Sequence, residues 1–189
     1  MNRLLLVRHS LPHIDPNRPA NEWSLSEEGR RRCQPLAARL STYRPDAIVS
    51  SLEHKAIETA EIVAGRLGLS VATALDLHEH DRRTAPHLSA EQFEASVAAL
   101  FAHPAQRVFG AETADQAHRR FAQAVEKVAR DRAGQTVAIV AHGTVITLFV
   151  SRLTGSDPLA FWKHLGLPSF VVLSLPEWTL QEVVASVPE

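Results

Sequence analysis

Two histidines stand where an apolar run stops abruptly. Leu4-Leu5-Leu6-Val7 leads into Arg8-His9-Ser10, and Val137-Ala138-Ile139-Val140-Ala141 leads into His142-Gly143. An imidazole that is neutral near neutral pH can act as a nucleophile or a proton carrier, and an arginine beside it offers a planar cation to an anion. Further on lie Lys55, just past Ser50-Ser51, and the cluster His78-Glu79-His80-Asp81. A neutral imidazole, several cations and a carboxylate form a set able to bind a phosphoryl group, attack it and move a proton. The histidine–carboxylate cluster has a second reading. In an extended segment His78 and His80 lie on one side, as a metal pair would, but no distant matching ligand pair is evident.

The elements that must position these groups can be read from the apolar pattern. Short runs rich in branched residues, bounded by polar and proline-containing sequence, read as strands buried on both faces. In open α/β sheets the ligand site lies outside the carboxyl ends of the strands. The two histidine-ending strands are therefore expected to be central, adjacent and parallel, with His9 facing His142. Between them Ser26 caps a helix with Cys33, Leu36, Ala37 and Leu40 on one face, and Pro35 inside it should kink it or displace its first turn. A strand over 46–49 is followed by a helix from about His54 that carries Lys55 in its first turn and is closed by Gly68. A helix N-terminus there would favour a phosphate. Val71 to Leu75 reads as a third strand, and Ser89 with Gln92 forms a capping box. Helices from about Thr113 and over 145–153, a short one after Asp157-Pro158, and strands over 170–175 and 179–184 complete the chain. Such alternation predicts a three-layer α/β/α sandwich with a mainly parallel central sheet, built as a single domain over residues 1–189.

Composition narrows the function classes. Hydrophobic residues make up 45% and charged residues 22% of the 189, ordinary for a globular domain with a substantial core. A formal net charge of −1 gives no electrostatic case for nucleic acid or an anionic membrane. Cys33 is the only cysteine, so an intrachain disulfide is excluded and an oxidising compartment is not indicated. No apolar run reaches transmembrane length and no signal-type segment precedes the first strand, so a cytoplasmic location is expected.

The motifs also occur in a familiar order. Arg8-His9-Ser10, Leu25-Ser26-Glu27-Glu28-Gly29-Arg30, Ser50-Ser51 with Ala56 and Glu58-Thr59-Ala60, Leu77-His78-Glu79, Gly110-Ala111-Glu112-Thr113 and Ala141-His142-Gly143 span nearly the whole chain. This ordered set resembles the histidine phosphatase (phosphoglycerate mutase-like) superfamily. The resemblance implies that His9 takes the phosphoryl group as a phosphohistidine while Arg8, Lys55, His142 and Ser10 surround the phosphate. Glu79 would be the general acid for the leaving alcohol and then the base that activates water, a role expected to require a raised pKa; Asp81 is the next candidate. No metal or other cofactor is implied, because fixed cations supply the charge stabilisation.

Four positions depart from the family pattern. Ser10 stands where the family usually has glycine, Pro12 where it has threonine, Asp15 where it has asparagine, and Lys55 at the second arginine. Lysine keeps the charge of arginine and loses its two-pronged geometry. An anion at Asp15 would repel phosphate unless it points away. His13, Arg82, Arg83 and His87 are candidates for the pocket mouth. The expected activity is a phosphatase acting on a small phosphorylated substrate or a phosphoprotein. The alternatives are a phosphoglycerate-mutase-like phosphotransferase and a non-catalytic phosphate-ligand-binding module.

Overall fold

The computed structural model describes residues 2–83, 85 and 88–187. At its centre β1 (Asn2–Arg8) and β4 (Val137–Ala141) run parallel, with Leu4 opposite Val137 and Arg8 opposite Ala141. The pairing continues one residue past β1, where the His9 amide donates to the Ala141 carbonyl at 3.0 Å. The two imidazoles therefore leave the sheet side by side. Leu4 to Val7 are fully buried because both faces of this strand are covered, which explains its unbroken apolar run.

Four further strands complete the sheet: β2 (Ala47–Ser50), β3 (Val71–Thr73), β5 (Ser169–Leu175) and β6 (Thr179–Val184). The order is β3-β2-β4-β1-β5-β6. The pairs β1·β4, β2·β4 and β2·β3 are parallel, while β5 is antiparallel to both β1 and β6. The sheet is mixed, and β5 alone runs against the rest.

Alternate side chains of the central strands feed two cores. Leu5, Val7, Ala138 and Val140 pack with Leu36, Leu40, Ala60 and Val63 of α1 (Glu27–Ser41) and α2 (His54–Leu67). Leu4, Leu6, Val137 and Ile139 pack on the other face against α3 (Ala90–Ala102), α4 (Ala114–Asp131) and α5 (Gly143–Thr154). The short α6 (Pro158–His164) adds Trp162 to that second face. The result is the expected α/β/α sandwich.

Two local expectations need correction. Pro35 displaces no turn of α1, which begins at Glu27 with the Ser26 hydroxyl accepting from the Gly29 amide at 2.9 Å. Burial of Cys33, Leu36, Ala37 and Leu40 on both sides of Pro35 carries the helix across the lost backbone bond. Strand β3 stops at Thr73 rather than Leu75. Leu75 is 73% exposed, and Asp76 takes a left-handed φ of 65° that turns the chain back towards the sheet end. Among the described residues, no helix is long and apolar enough to cross a membrane.

Candidate active site

His9 is buried, and its Nδ1 lies 2.7 Å from the Ser10 carbonyl. A carbonyl oxygen only accepts, so Nδ1 carries the proton and the Nε2 lone pair is left free. Burial, the Lys55 charge, His142 and Arg8 hold the His9 pKa well below its ordinary value. The ring is thus neutral, in one tautomer, with a fixed orientation.

His142 caps the N-terminus of α5, its ring centroid 5.2 Å from that of His9. Its Nε2 meets the Ser51 hydroxyl at 2.8 Å, and its Nδ1 is buried with no hydrogen-bond partner. Burial first, then the charge of Lys55, keeps this ring neutral too. Arg8 lies across Gly143. A Cβ at that glycine would fall 2.8 Å from the Arg8 Nε, so the close approach requires glycine. Arg8 donates from Nη1 to the Leu165 carbonyl at 2.5 Å, while its buried Nε is unpartnered. Burial lowers its pKa to about 10, which leaves it charged at neutral pH.

Glu79 is buried at the start of α5, where one oxygen accepts from the Thr144 amide at 3.1 Å and the other from the Val145 amide at 3.3 Å. Its approach is fixed from behind. Arg120 donates to the carbonyls of Asp76 (2.8 Å), His78 (3.0 Å) and Glu79 (3.3 Å), and pairs with Glu112 at 2.6 Å. Glu112 also accepts from the Asp81 amide at 2.9 Å. The expectation of a raised pKa does not hold for this state. Burial pushes the Glu79 carboxyl up, but Arg82, His142 and the amides of His80 and Thr144 outweigh it and hold the pKa below its ordinary value. Asp81 likewise carries no proton to donate near neutral pH, its pKa held at about 2, chiefly by its hydrogen bonds from Arg83.

Lys55 is buried rather than solvated, and its ammonium lies 2.5 Å from Glu53 and 2.6 Å from the Ala20 carbonyl. Glu53 in turn accepts from the Glu79 amide at 2.8 Å and lies 3.7 Å from His142 Nε2. Burial raises the Glu53 pKa, but Lys55 overrides it and the net shift is downward. The side chains of Arg8, His9, Lys55, Glu79, Arg82 and Thr144 border a cavity of about 670 Å³.

The model of the histidine phosphatase superfamily (branch 1) matches residues 4–184. The chain belongs to this superfamily. It is 28% identical to phosphoglycerate mutase-like protein 4 of Arabidopsis thaliana over 190 residues, covering 94% of this chain and 83% of that protein. Among solved structures, a mycobacterial glucosyl-3-phosphoglycerate phosphatase bound to VO3 has a TM-score of 0.75 at 26% identity, covering 98% of this chain and 100% of that one. A phosphoserine phosphatase mutant from Entamoeba histolytica shares the fold, with a TM-score of 0.79 at 18% identity and 98% of each chain covered.

For this histidine phosphatase superfamily member, the structure brings Arg8, His9, Lys55, Glu79 and His142 together. Ser10 is different. Its hydroxyl donates to the Gly29 carbonyl at 2.7 Å, tying the side chain to α1, and its backbone amide donates to the Thr59 hydroxyl of α2 at 3.0 Å. Asp15 also turns away, accepting from the Asn17 amide at 2.9 Å. Arg82 and Arg83 line the cavity, whereas His13 is exposed and does not, and His87 lies outside the described residues. Among the described residues no group of three or more side chains could hold a metal ion, and His80 instead places Nε2 2.8 Å from the Glu112 carbonyl. The helix N-terminus of α5 is already occupied by Glu79. Glu53 and Arg120 escaped the sequence reading; the signal for Glu53 was a carboxylate two residues before a cation at the start of a helix.

Proposed function

We propose that this chain is a phosphomonoester hydrolase that works through a phosphohistidine on His9, without a metal ion and in the cytoplasm. The observation that carries this reading is the His9 Nδ1 contact to the Ser10 carbonyl at 2.7 Å, which leaves Nε2 as a free, neutral nucleophile. A binding-only module has no need of a lone pair presented in this way.

The phosphoryl group sits against Arg8, Arg82 and the remaining Lys55 N–H, while His142 Nδ1 lies behind it. His9 Nε2 attacks phosphorus, and the ester oxygen leaves on the opposite side. That oxygen needs a proton, and Glu79 is a carboxylate in the free enzyme. The proton therefore arrives with the substrate. A monoanionic ester hands its proton to Glu79, whose pKa rises as the phosphate neutralises the field of Arg82. Glu79 then delivers the proton to the leaving alcohol. In the second half, the same carboxylate takes a proton from water as the water oxygen attacks phospho-His9, releasing phosphate and restoring the imidazole.

The direct test is hydrolysis of phenyl phosphate by the wild type and by His9→Ala. The expected result is turnover by the wild type and a loss of at least about three decades in the variant. Equal rates in both would end the reading.

A further inference from the structure

We infer that the physiological ester carries an uncharged, predominantly aromatic or apolar alcohol group, in contrast to the compact carboxylated phosphates named for several structural relatives. This rests on the phosphatase reading of the same site. The cavity is far larger than its phosphate floor. Its volume of about 670 Å³ lies within the range of roughly 300–1,000 Å³ typical of pockets that enclose drug-sized ligands.

One wall is a continuous aromatic surface. Phe93 meets Phe109 edge to face at 6.3 Å and Trp162 at 5.9 Å between ring centroids. The lining also includes Trp23 and Ile14, and Ile14 is 56% exposed despite its size. The Trp23 indole N–H is already satisfied by the Asp15 carbonyl at 2.9 Å, so that residue offers the cavity an apolar face. Aromatic rings favour flat apolar partners in offset or edge-to-face contact.

The charge pattern points the same way. Besides Arg8 and Lys55 on the floor, the described cations lining the cavity are Arg18, Arg82 and Arg83. Arg83 donates to both oxygens of Asp81 at 3.0 and 2.7 Å, and Arg18 lies 3.8 Å from Asp15. Arg82 stacks 4.4 Å over the Phe93 ring and has a buried, unpartnered Nη1. Arg82 borders the cavity together with Arg8 and Glu79, and the phosphatase reading gives its free N–H to the phosphoryl oxygens. Among the described residues, then, once Arg82 is given to the phosphoryl group, each remaining cation of the cavity mouth already has a carboxylate beside it. A carboxylate there would be desolvated against aromatic rings without a counter-ion.

The test measures kcat/KM of the whole wild-type chain for phenyl phosphate, naphthyl phosphate, phosphoserine and phosphoglycerate. Calorimetry on His9→Ala gives Kd for the two aryl esters independently of turnover. Phenol and naphthol are similar leaving groups, so their ratio reports the cavity wall. Naphthyl phosphate is expected to have a kcat/KM about tenfold or more above that of phenyl phosphate and a Kd about tenfold or more below it, equivalent to about 1.4 kcal/mol. The two carboxylated esters are expected to fall below phenyl phosphate. Trp162→Ala and Phe93→Leu should each bring the naphthyl-to-phenyl ratio towards one. Hydrolysis with no naphthyl preference, or with preference for a carboxylated ester, overturns this inference and leaves the phosphatase reading standing. Absence of hydrolysis with tighter naphthyl binding overturns the phosphatase reading alone, and equal Kd values overturn the inference.

Discussion

The Lys55 ammonium nitrogen lies 2.5 Å from a carboxylate oxygen of Glu53, and both side chains are buried. This pair changes what the lysine means. A lysine at a family arginine position brings its own counter-ion, which fixes the head group and leaves only part of its charge for a phosphate. Glu53 also reaches the Glu79 amide, so one carboxylate joins Lys55 to the loop that carries Glu79, the proposed general acid.

Removing Lys55 should therefore cost both activity and stability. Lys55→Ala is expected to lose about two to three decades in kcat/KM, from the lost charge-assisted contact. It should also lose about 3–5 kcal/mol of folding stability, because Glu53 is left buried and unpaired. Lys55→Arg should keep measurable activity. Combining Lys55→Met with Glu53→Gln should recover most of the stability but not the activity, as read by denaturant unfolding beside steady-state kinetics. Wild-type turnover in Lys55→Ala would remove this residue from the phosphate site.

Glu79→Gln should discriminate between leaving groups. Alkyl phosphates, whose alkoxide needs a proton, are expected to lose about 10²–10⁴-fold, and p-nitrophenyl phosphate far less in the first step. With the good leaving group a burst of product should precede a slow steady state, because the same carboxylate activates water against the phosphoenzyme. Equal losses on both esters without a burst would place the acid elsewhere.

The activity should favour mildly acidic solution. His9 has a depressed pKa, so it stays neutral as pH falls from 7 until well below its ordinary value. Glu79, also depressed, carries no proton of its own in the free enzyme, so the reactive ester is the monoanion. The monoanion disappears above a phosphate pKa of about 6. A profile of kcat/KM against pH should therefore decline on the alkaline side of about 6. An optimum above pH 8 would contradict delivery of the proton by the substrate.

Stability should move the opposite way. His9 and His142 stay neutral in the folded chain and take up protons once unfolded, so acid favours the unfolded state below the ordinary histidine pKa of about 6.5. Above that value neither state is protonated and the two rings contribute no slope. Between about pH 6 and 5 each buried ring should remove up to about 1.4 kcal/mol per pH unit. Unfolding curves across this range should steepen accordingly, and His142→Gln should shallow the dependence. A flat response would mean that both rings are charged in the folded chain, and half the slope that one of them is.

The meeting of His9 and His142 was legible because β1 and β4 are buried on both faces, so their apolar runs stop where the two histidines begin. The helix caps at Ser26 and Ser89 were legible for a similarly local reason: each hydroxyl accepts from an amide three residues on. Glu53 was not. Residues two apart do not face one another on a helix, and Glu53 reaches Lys55 only because it is the extended cap residue of α2, with ψ of 138°. The charge state of Glu79 was also hidden, since it is set by amides of Thr144 and Val145 that only the fold brings near. Arg120 shows no local signal either, because the carbonyls it gathers lie more than forty residues away. Ser10 stands beside His9 in sequence, which suggests a phosphate neighbour, but its hydroxyl donates to the Gly29 carbonyl instead.

The central claim is that phosphorus is transferred to His9, and the most direct measurement is trapping of that species. Glu79→Gln is mixed with p-nitrophenyl phosphate, quenched in alkali within the burst, digested and sequenced by mass spectrometry. The account predicts one phosphoryl group on the peptide containing His9, stable in base and labile in acid, with an amount matching the burst. Phosphate on another side chain, or a full burst with His9 unmodified, would contradict it.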